Sequence, residues 1–255
     1  MQRRLFLRLA AAVLVVPAYA GICFAGEYVR PAAVVELFTS QGCNSCPPAD
    51  AYFAELAARD DIVALAYHVD YWNYLGWRDT LSKPESTARQ YEYMRSFGAR
   101  SVYTPQAVIN GRVHVNGADR GAVAGTMDEL RQKNHGIRIG IKVSRDGNSV
   151  KIDADAGENP SADAHVVLVY FDPPKPVVID RGENKGKTVT YWNPVTDIQT
   201  AGMWHGEKQR YELPMSEISK KGGCAVLLQS VGKEGLPGPI LGAAVVRKPE
   251  VASVP

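Results

Sequence analysis

The 255-residue chain is 45% hydrophobic and 22% charged, enough apolar material for a buried core and unlike the composition of a disordered chain. Its 29 basic and 27 acidic residues nearly cancel, so no basic surplus points to nucleic acid. Four cysteines are too few to staple a chain of this size, and their value must lie in chemistry or packing.

The first 25 residues read as an export signal. Arg3, Arg4 and Arg8 precede the apolar run Leu9 to Pro17, and small residues suited to cleavage follow at Ala20 and Ala25. Gln2-Arg3-Arg4-Leu5-Phe6-Leu7-Arg8 also fits a twin-arginine signal, with ordinary secretion as the other route. A lipid anchor on Cys23 is disfavoured by the bulky Ile22 before it. Losing this segment leaves 26 basic against 27 acidic residues, a charge of −1. The expected location is the periplasm or the exterior. Beyond residue 25 no apolar run is long enough to span a bilayer.

Residues 26–135 alternate short β-branched runs with helical ones, the pattern of a parallel or mixed sheet with crossover helices. Ala32 to Phe38 reads as a buried strand. Pro47 to Arg59 reads as a helix opened by two prolines that lose no intrahelical bond there. Asp61 to Val69 is the next strand, Tyr71 to Trp77 an aromatic loop, and Pro84 to Phe97 a second helix ended by Gly98. Gln106 to Ile109 and Arg112 to Val115 form a hairpin through Asn110-Gly111, and Asp119 to Lys133 is a third helix. Residues 136–255 carry strand signals with turns every eight to twelve residues: Ile137 to Ser144, Ser149 to Ala156, Ala164 to Phe171, Val177 to Asp180, Thr188 to Asn193, Gln209 to Leu213, Cys224 to Val231 and Ile240 to Val246. Together they predict an all-β sandwich of about eight strands.

The chemistry centres on Cys43-Asn44-Ser45-Cys46 at a strand-to-helix junction. A helix start offers unpaired N–H groups and partial positive charge, which stabilise a thiolate. Cys43 is therefore expected to attack a disulfide, and the more buried Cys46 to resolve it. Half of a zinc site and a structural disulfide are the competing readings. Tyr103-Thr104-Pro105-Gln106, before a strand, resembles the element of thioredoxin-like folds in which a cis proline stands beside the cysteine pair. There the preceding residue pairs with a substrate strand. Glu36, an acid inside an apolar strand, resembles their buried acid. Without a charged partner it would accept the Cys46 proton.

His68, Asp70, Trp72 and Trp77 follow the second strand and are expected near the site. Trp72 and Trp77 are substrate-contact candidates or packing residues. His68 is a core histidine or, with Cys43 and Cys46, a copper ligand. Cys224 reads as a small apolar core residue, or as a third redox thiol. Arg181-Gly182-Glu183-Asn184-Lys185-Gly186-Lys187 reads first as a hairpin turn and second as a surface reaching toward the cysteines.

Val35-Glu36-Leu37-Phe38-Thr39-Ser40-Gln41-Gly42-Cys43-Asn44-Ser45-Cys46-Pro47-Pro48-Ala49-Asp50 resembles the bacterial secreted family called domain of unknown function 1223. His68 to Trp77, Tyr103 to Gln106 and Gly238 to Ala243 match it too. The resemblance implies an α/β thioredoxin-like N-terminal domain followed by an all-β sandwich domain, and an envelope location. It implies no activity. The reading carried forward is a periplasmic thiol-disulfide oxidoreductase with no cofactor beyond the Cys43–Cys46 disulfide, acting on thiols or disulfides of envelope proteins. Its alternatives are a copper chaperone using Cys43, Cys46 and His68, and a non-catalytic binding module.

Overall fold

The computed structural model describes residues 30–158, 163–216 and 222–247. The export signal expected at residues 1–25, with Cys23, lies outside them.

The first sheet is mixed. Its strands are β1 (Ala33–Thr39), β2 (Ile62–His68), β3 (Gln106–Ile109) and β4 (Val113–Asn116), in the order β2-β1-β3-β4. β1 runs parallel to β2 and antiparallel to β3. Alternation along β1 sends Val35 and Leu37 to one face and Val34 and Phe38 to the other. On the first face lie α1 (Pro47–Ala57) and α3 (Arg120–Gln132). Phe53, Leu56 and Leu130 bury their side chains there, each contributing roughly 1.5–3 kcal/mol by leaving water. α3 starts on Asp119, whose carboxylate accepts from the Ala122 N–H at 2.9 Å, a cap that satisfies one of the free donors of its first turn.

The second face departs from the sequence reading. α2 (Pro84–Ser96) covers only part of it, and the rest is covered by another sheet. That sheet is antiparallel, ordered β10-β7-β12-β13, from β7 (Ala164–Phe171), β10 (Val195–Trp204), β12 (Gly223–Val231) and β13 (Pro237–Arg247). Val167, Val169, Phe171, Ala225 and Leu227 meet Val34, Phe38, Leu65 and Tyr67 in one shared core. On its far side the antiparallel sheet packs on β5 (Ile141–Asp146), β6 (Ser149–Ala154) and β11 (Gln209–Pro214), through Val166, Leu168, Cys224 and Val226 against Val150 and Ile152. A separate hairpin, β8 (Lys175–Val178) and β9 (Thr188–Tyr191), lies against α1.

The expected fold class, an α/β thioredoxin-like N-terminal domain followed by an all-β sandwich domain, is therefore corrected. The chain is a mostly-β protein of several sheets, with 42% strand, 20% helix and three α-helices among the described residues. The sequence pattern could not distinguish a sheet face covered by helices from one covered by another sheet, since both demand the same apolar residues. β10 carries no strand signal because bulges between Val195 and Asp197 and between Thr200 and Gly202 break its two-residue period.

The predicted Asn110-Gly111 turn is present, with φ of 51° and 62°; the Arg112 N–H donates to the Ile109 carbonyl at 3.0 Å to close it, and Arg112 is a third loop residue, since Ile109 pairs with Val113. Asn110 also joins the sheets. Its Oδ1 accepts from the Val34 N–H at 2.8 Å, and its carbonyl accepts from the Ile240 N–H at 2.8 Å.

Candidate functional site

Cys43 and Cys46 form a disulfide with Cα atoms 5.4 Å apart, between the end of β1 and the start of α1. Cys46 occupies the N-cap position with Pro47 and Pro48 after it. The helix start therefore carries its dipole, but the two prolines remove the first amide hydrogens that a sulfur there would meet. The Cys46 carbonyl accepts from the Ala49 and Asp50 N–H groups at 2.9 and 3.0 Å. Both cysteines are buried, Cys43 at 3% exposure and Cys46 fully, so Cys43 is the nearer of the two to the surface.

The Thr104–Pro105 bond is cis. The Thr104 carbonyl oxygen lies 3.8 Å from Cys43 Sγ, and Ser45 Oγ lies 3.3 Å from that sulfur. The Trp72 indole N–H donates to Thr104 Oγ1 at 2.8 Å. Thr104, Pro105 and Trp72 are thus gathered around the cysteines. Trp77 is one step removed: its indole N–H donates to Gln41 Oε1 at 2.9 Å, and its ring packs with the β8–β9 hairpin.

The loop before Cys43 is held from three directions. The Gln41 N–H donates to Asp79 Oδ2 at 2.8 Å, and Trp77 holds the Gln41 side chain. Asn184, on the turn of the β8–β9 hairpin, donates its carboxamide hydrogens to the carbonyls of Gln41 and Cys43 at 2.9 and 2.8 Å. Lys187 Nζ donates to Asn184 Oδ1 at 2.8 Å, fixing the amide orientation. The polar 181–187 loop is therefore both a hairpin turn and a brace for the cysteine loop.

Glu36 is buried, but it is not the lone acid expected. It faces away from α1 and pairs with Arg89, whose Nε lies 2.8 Å from Oε1, while Tyr93 donates to its other oxygen. Gln229 completes the network, accepting from Arg89 at 3.0 Å and donating to the Tyr93 hydroxyl at 2.9 Å. This pairing lies on the sheet face opposite the cysteine helix, so the role expected of Glu36 toward Cys46 is corrected.

The acid on the cysteine side is Asp50, four residues after Cys46 on the same helix, where side chains stand roughly 5–6 Å apart at Cβ. Thr39 donates to its Oδ1 at 2.7 Å, while Oδ2 is buried without a protein partner. Burial pushes the Asp50 carboxyl up to about 7, beyond what the Thr39 hydroxyl and His68 pull down. The Cys46–Asp50 spacing carries this in the sequence. His68 and Asp79 lie alongside, both buried, with Nδ1 and Oδ2 2.8 Å apart. The His68 ring stands edge-on to Tyr191 at 4.6 Å, and its Nε2 is buried without a protein partner. For Asp79 burial works upward, but His68 and the Gln41 and Leu81 N–H groups outweigh it and hold its carboxyl below the usual range. Burial also pushes the Tyr191 hydroxyl upward, with Asp50 and Asp79 adding to it.

Asp70 accepts from the Thr87 hydroxyl at 2.7 Å. Cys224 is buried, its thiol pushed up to about 12 by burial. Among the described residues no group of three or more His, Cys, Asp or Glu is arranged to hold a metal ion, and no helix is long and apolar enough to cross a membrane.

The chain is 44% identical to a protein of Agrobacterium tumefaciens whose crystal structure was solved as a structural-genomics target; the match covers 87% of this chain and 96% of that one, with a TM-score of 0.79. HBP35 of Porphyromonas gingivalis shares 12% identity over 89% of this chain and 79% of its own, with a TM-score of 0.57, a likeness of fold alone. No curated protein matches. The model of the family described as protein of unknown function (DUF1223) matches residues 34–229, and the chain belongs to that family.

Proposed function

We propose that the protein is a thiol-disulfide oxidoreductase acting through Cys43 and Cys46 on envelope proteins. The observation that carries the reading is the cysteine disulfide placed one helical turn before a buried carboxyl that titrates near neutrality. In the reducing direction the Cys43 thiolate attacks a substrate disulfide, forming a mixed disulfide and releasing one substrate thiolate. Cys46 then gives its proton to Asp50, and its thiolate attacks Cys43 Sγ. The internal disulfide forms, the second substrate thiolate leaves, and that thiolate takes the proton from Asp50. Two electrons pass from the dithiol to the substrate. A base with a pKa near the working pH suits a thiol proton, and the Thr104 carbonyl beside Cys43 supports seating the substrate chain there. The arginine-led N-terminal segment supports the envelope location.

The test is disulfide exchange with 5,5′-dithiobis(2-nitrobenzoate). Reduced wild type should release two thionitrobenzoate ions per protein and end as the internal disulfide. Cys46→Ala should release one and retain a mixed disulfide on Cys43. Asp50→Asn should slow the second release by about 100-fold, the low end for general-base catalysis. A Cys43→Ala variant that exchanges as fast as wild type would overturn the mechanism, as would a native disulfide inert to millimolar dithiothreitol.

A further inference from the structure

At the end of β1 away from the cysteines, the first sheet and the β-rich layers leave a cleft of about 780 Å³. Four arginines line it: Arg30 before β1, Arg112 after the Asn110-Gly111 turn, Arg131 in the last turn of α3, and Arg138 in the following link. The lining includes a single acid, Glu158, already bonded to Arg138. Arg131 pairs with Asp128 through exposed side chains, an ion pair cheap to exchange. Arg112 differs from both. Its Nε is buried and has no partner in the protein, and no ion pair engages it among the described residues. Burial, then the neighbouring Arg138, holds its guanidinium below the usual range.

A guanidinium partly out of water, near a second one and without an acid, is destabilised until something anionic meets it. The backbone beneath it is fixed: the turn has left-handed φ at Asn110 and Gly111, and both Asn110 and Arg138 are bonded to neighbouring strands. The cleft also has an apolar wall, Ile139 and Leu241, backed by the fully buried Trp204. Its volume is that of a small-molecule site.

We propose that this cleft binds a small polyvalent oxyanion, an organic phosphate or polycarboxylate, whose charged groups meet Arg112 and Arg138 and whose carbon frame lies against Ile139 and Leu241. The site is independent of the cysteine chemistry, because β1 separates the two by roughly 20 Å at about 3.3 Å per residue.

Titration calorimetry on the intact oxidised protein, with inorganic pyrophosphate in one arm and citrate in the other, tests it. Saturable binding of at least one probe is expected, and the tighter probe identifies the ligand class. Arg112→Gln and Arg138→Gln should each weaken binding by about tenfold or more, the loss of a charge-assisted contact, with disulfide exchange unchanged. Should Arg112→Gln fail to fold, the exposed pair Arg131→Gln/Arg138→Gln gives the same reading. No saturable binding of either probe at millimolar concentration, or wild-type affinity in the folded variants, overturns the proposal.

Discussion

Thr39 and Asp50 are joined by a 2.7 Å hydrogen bond in which the hydroxyl donates to Oδ1, and this is the protein hydrogen bond that holds the carboxyl under the cysteine pair. The buried Oδ2 receives none. The groups around it are Thr39 on β1, His68 on β2, Asp79 in the loop before α2, and Tyr191 on β9.

The pH dependence of stability follows. Asp50 moves from an ordinary 3.8 to about 7 in the folded protein. Between those values the folded state holds a proton that the unfolded chain has lost. This contribution is therefore complete below pH 3.8, falls as pH rises, and is gone above about 7. The loss is about 4 kcal/mol at about 1.4 kcal/mol per pH unit. Asp79 has the opposite sign: its lowered value gives stability that is lost as pH falls below the ordinary aspartate range. Urea unfolding of the oxidised protein from pH 4 to 8 should show the downward slope, and Asp50→Asn should flatten it and be more stable than wild type at pH 8.

Glu36 and Arg89 form a buried ion pair, so removing one partner strands the other. Arg89→Met should cost about 3–5 kcal/mol, while Glu36→Gln combined with Arg89→Met should recover a large part of it. A double-mutant cycle by urea denaturation measures the coupling. Equal losses in the single and double variants would contradict the pairing.

Asn184→Ala removes two buried donors and leaves the Gln41 and Cys43 carbonyls without them. The expected cost is about 2–3 kcal/mol. Amide hydrogen exchange should rise in residues 40–46 and stay unchanged in β7 and β12.

Gly111→Ala should be costly, because φ is +62° and a Cβ there would stand 2.6 Å from the Gly238 carbonyl oxygen. Gly147 has φ of +57° but open space around it, so Gly147→Ala should cost only the left-handed penalty of about 1–2 kcal/mol. Thermal unfolding of the two variants separates the clash from the backbone conformation.

The elements were legible wherever period and punctuation agreed. β3 spans Gln106–Ile109 as read, and the three helices differ from their sequence ranges only at the ends. The faces were less legible. Every residue of β1 is buried, so its pattern carries no parity to say that Glu36 turns from the cysteine helix while Thr39 turns toward it. Asp50 was within reach of helical spacing, because a residue four past a helix-capping cysteine shares its side. That the 181–187 loop reaches the cysteines is among the sequence readings, but the choice of Asn184 within it is not legible, since its contacts join residues 141 and 143 positions apart, and only the packing of the hairpin on α1 creates them.

That separation has a consequence for synthesis. The two thiols emerge from the ribosome some hundred and forty residues before the amide that braces their loop. A nascent chain holding only the mixed sheet has the Asp79 and Trp77 contacts to Gln41 but lacks the Asn184 brace. The finished geometry arrives late, when the downstream hairpin docks, so translation order itself separates the reactive pair from its completed setting.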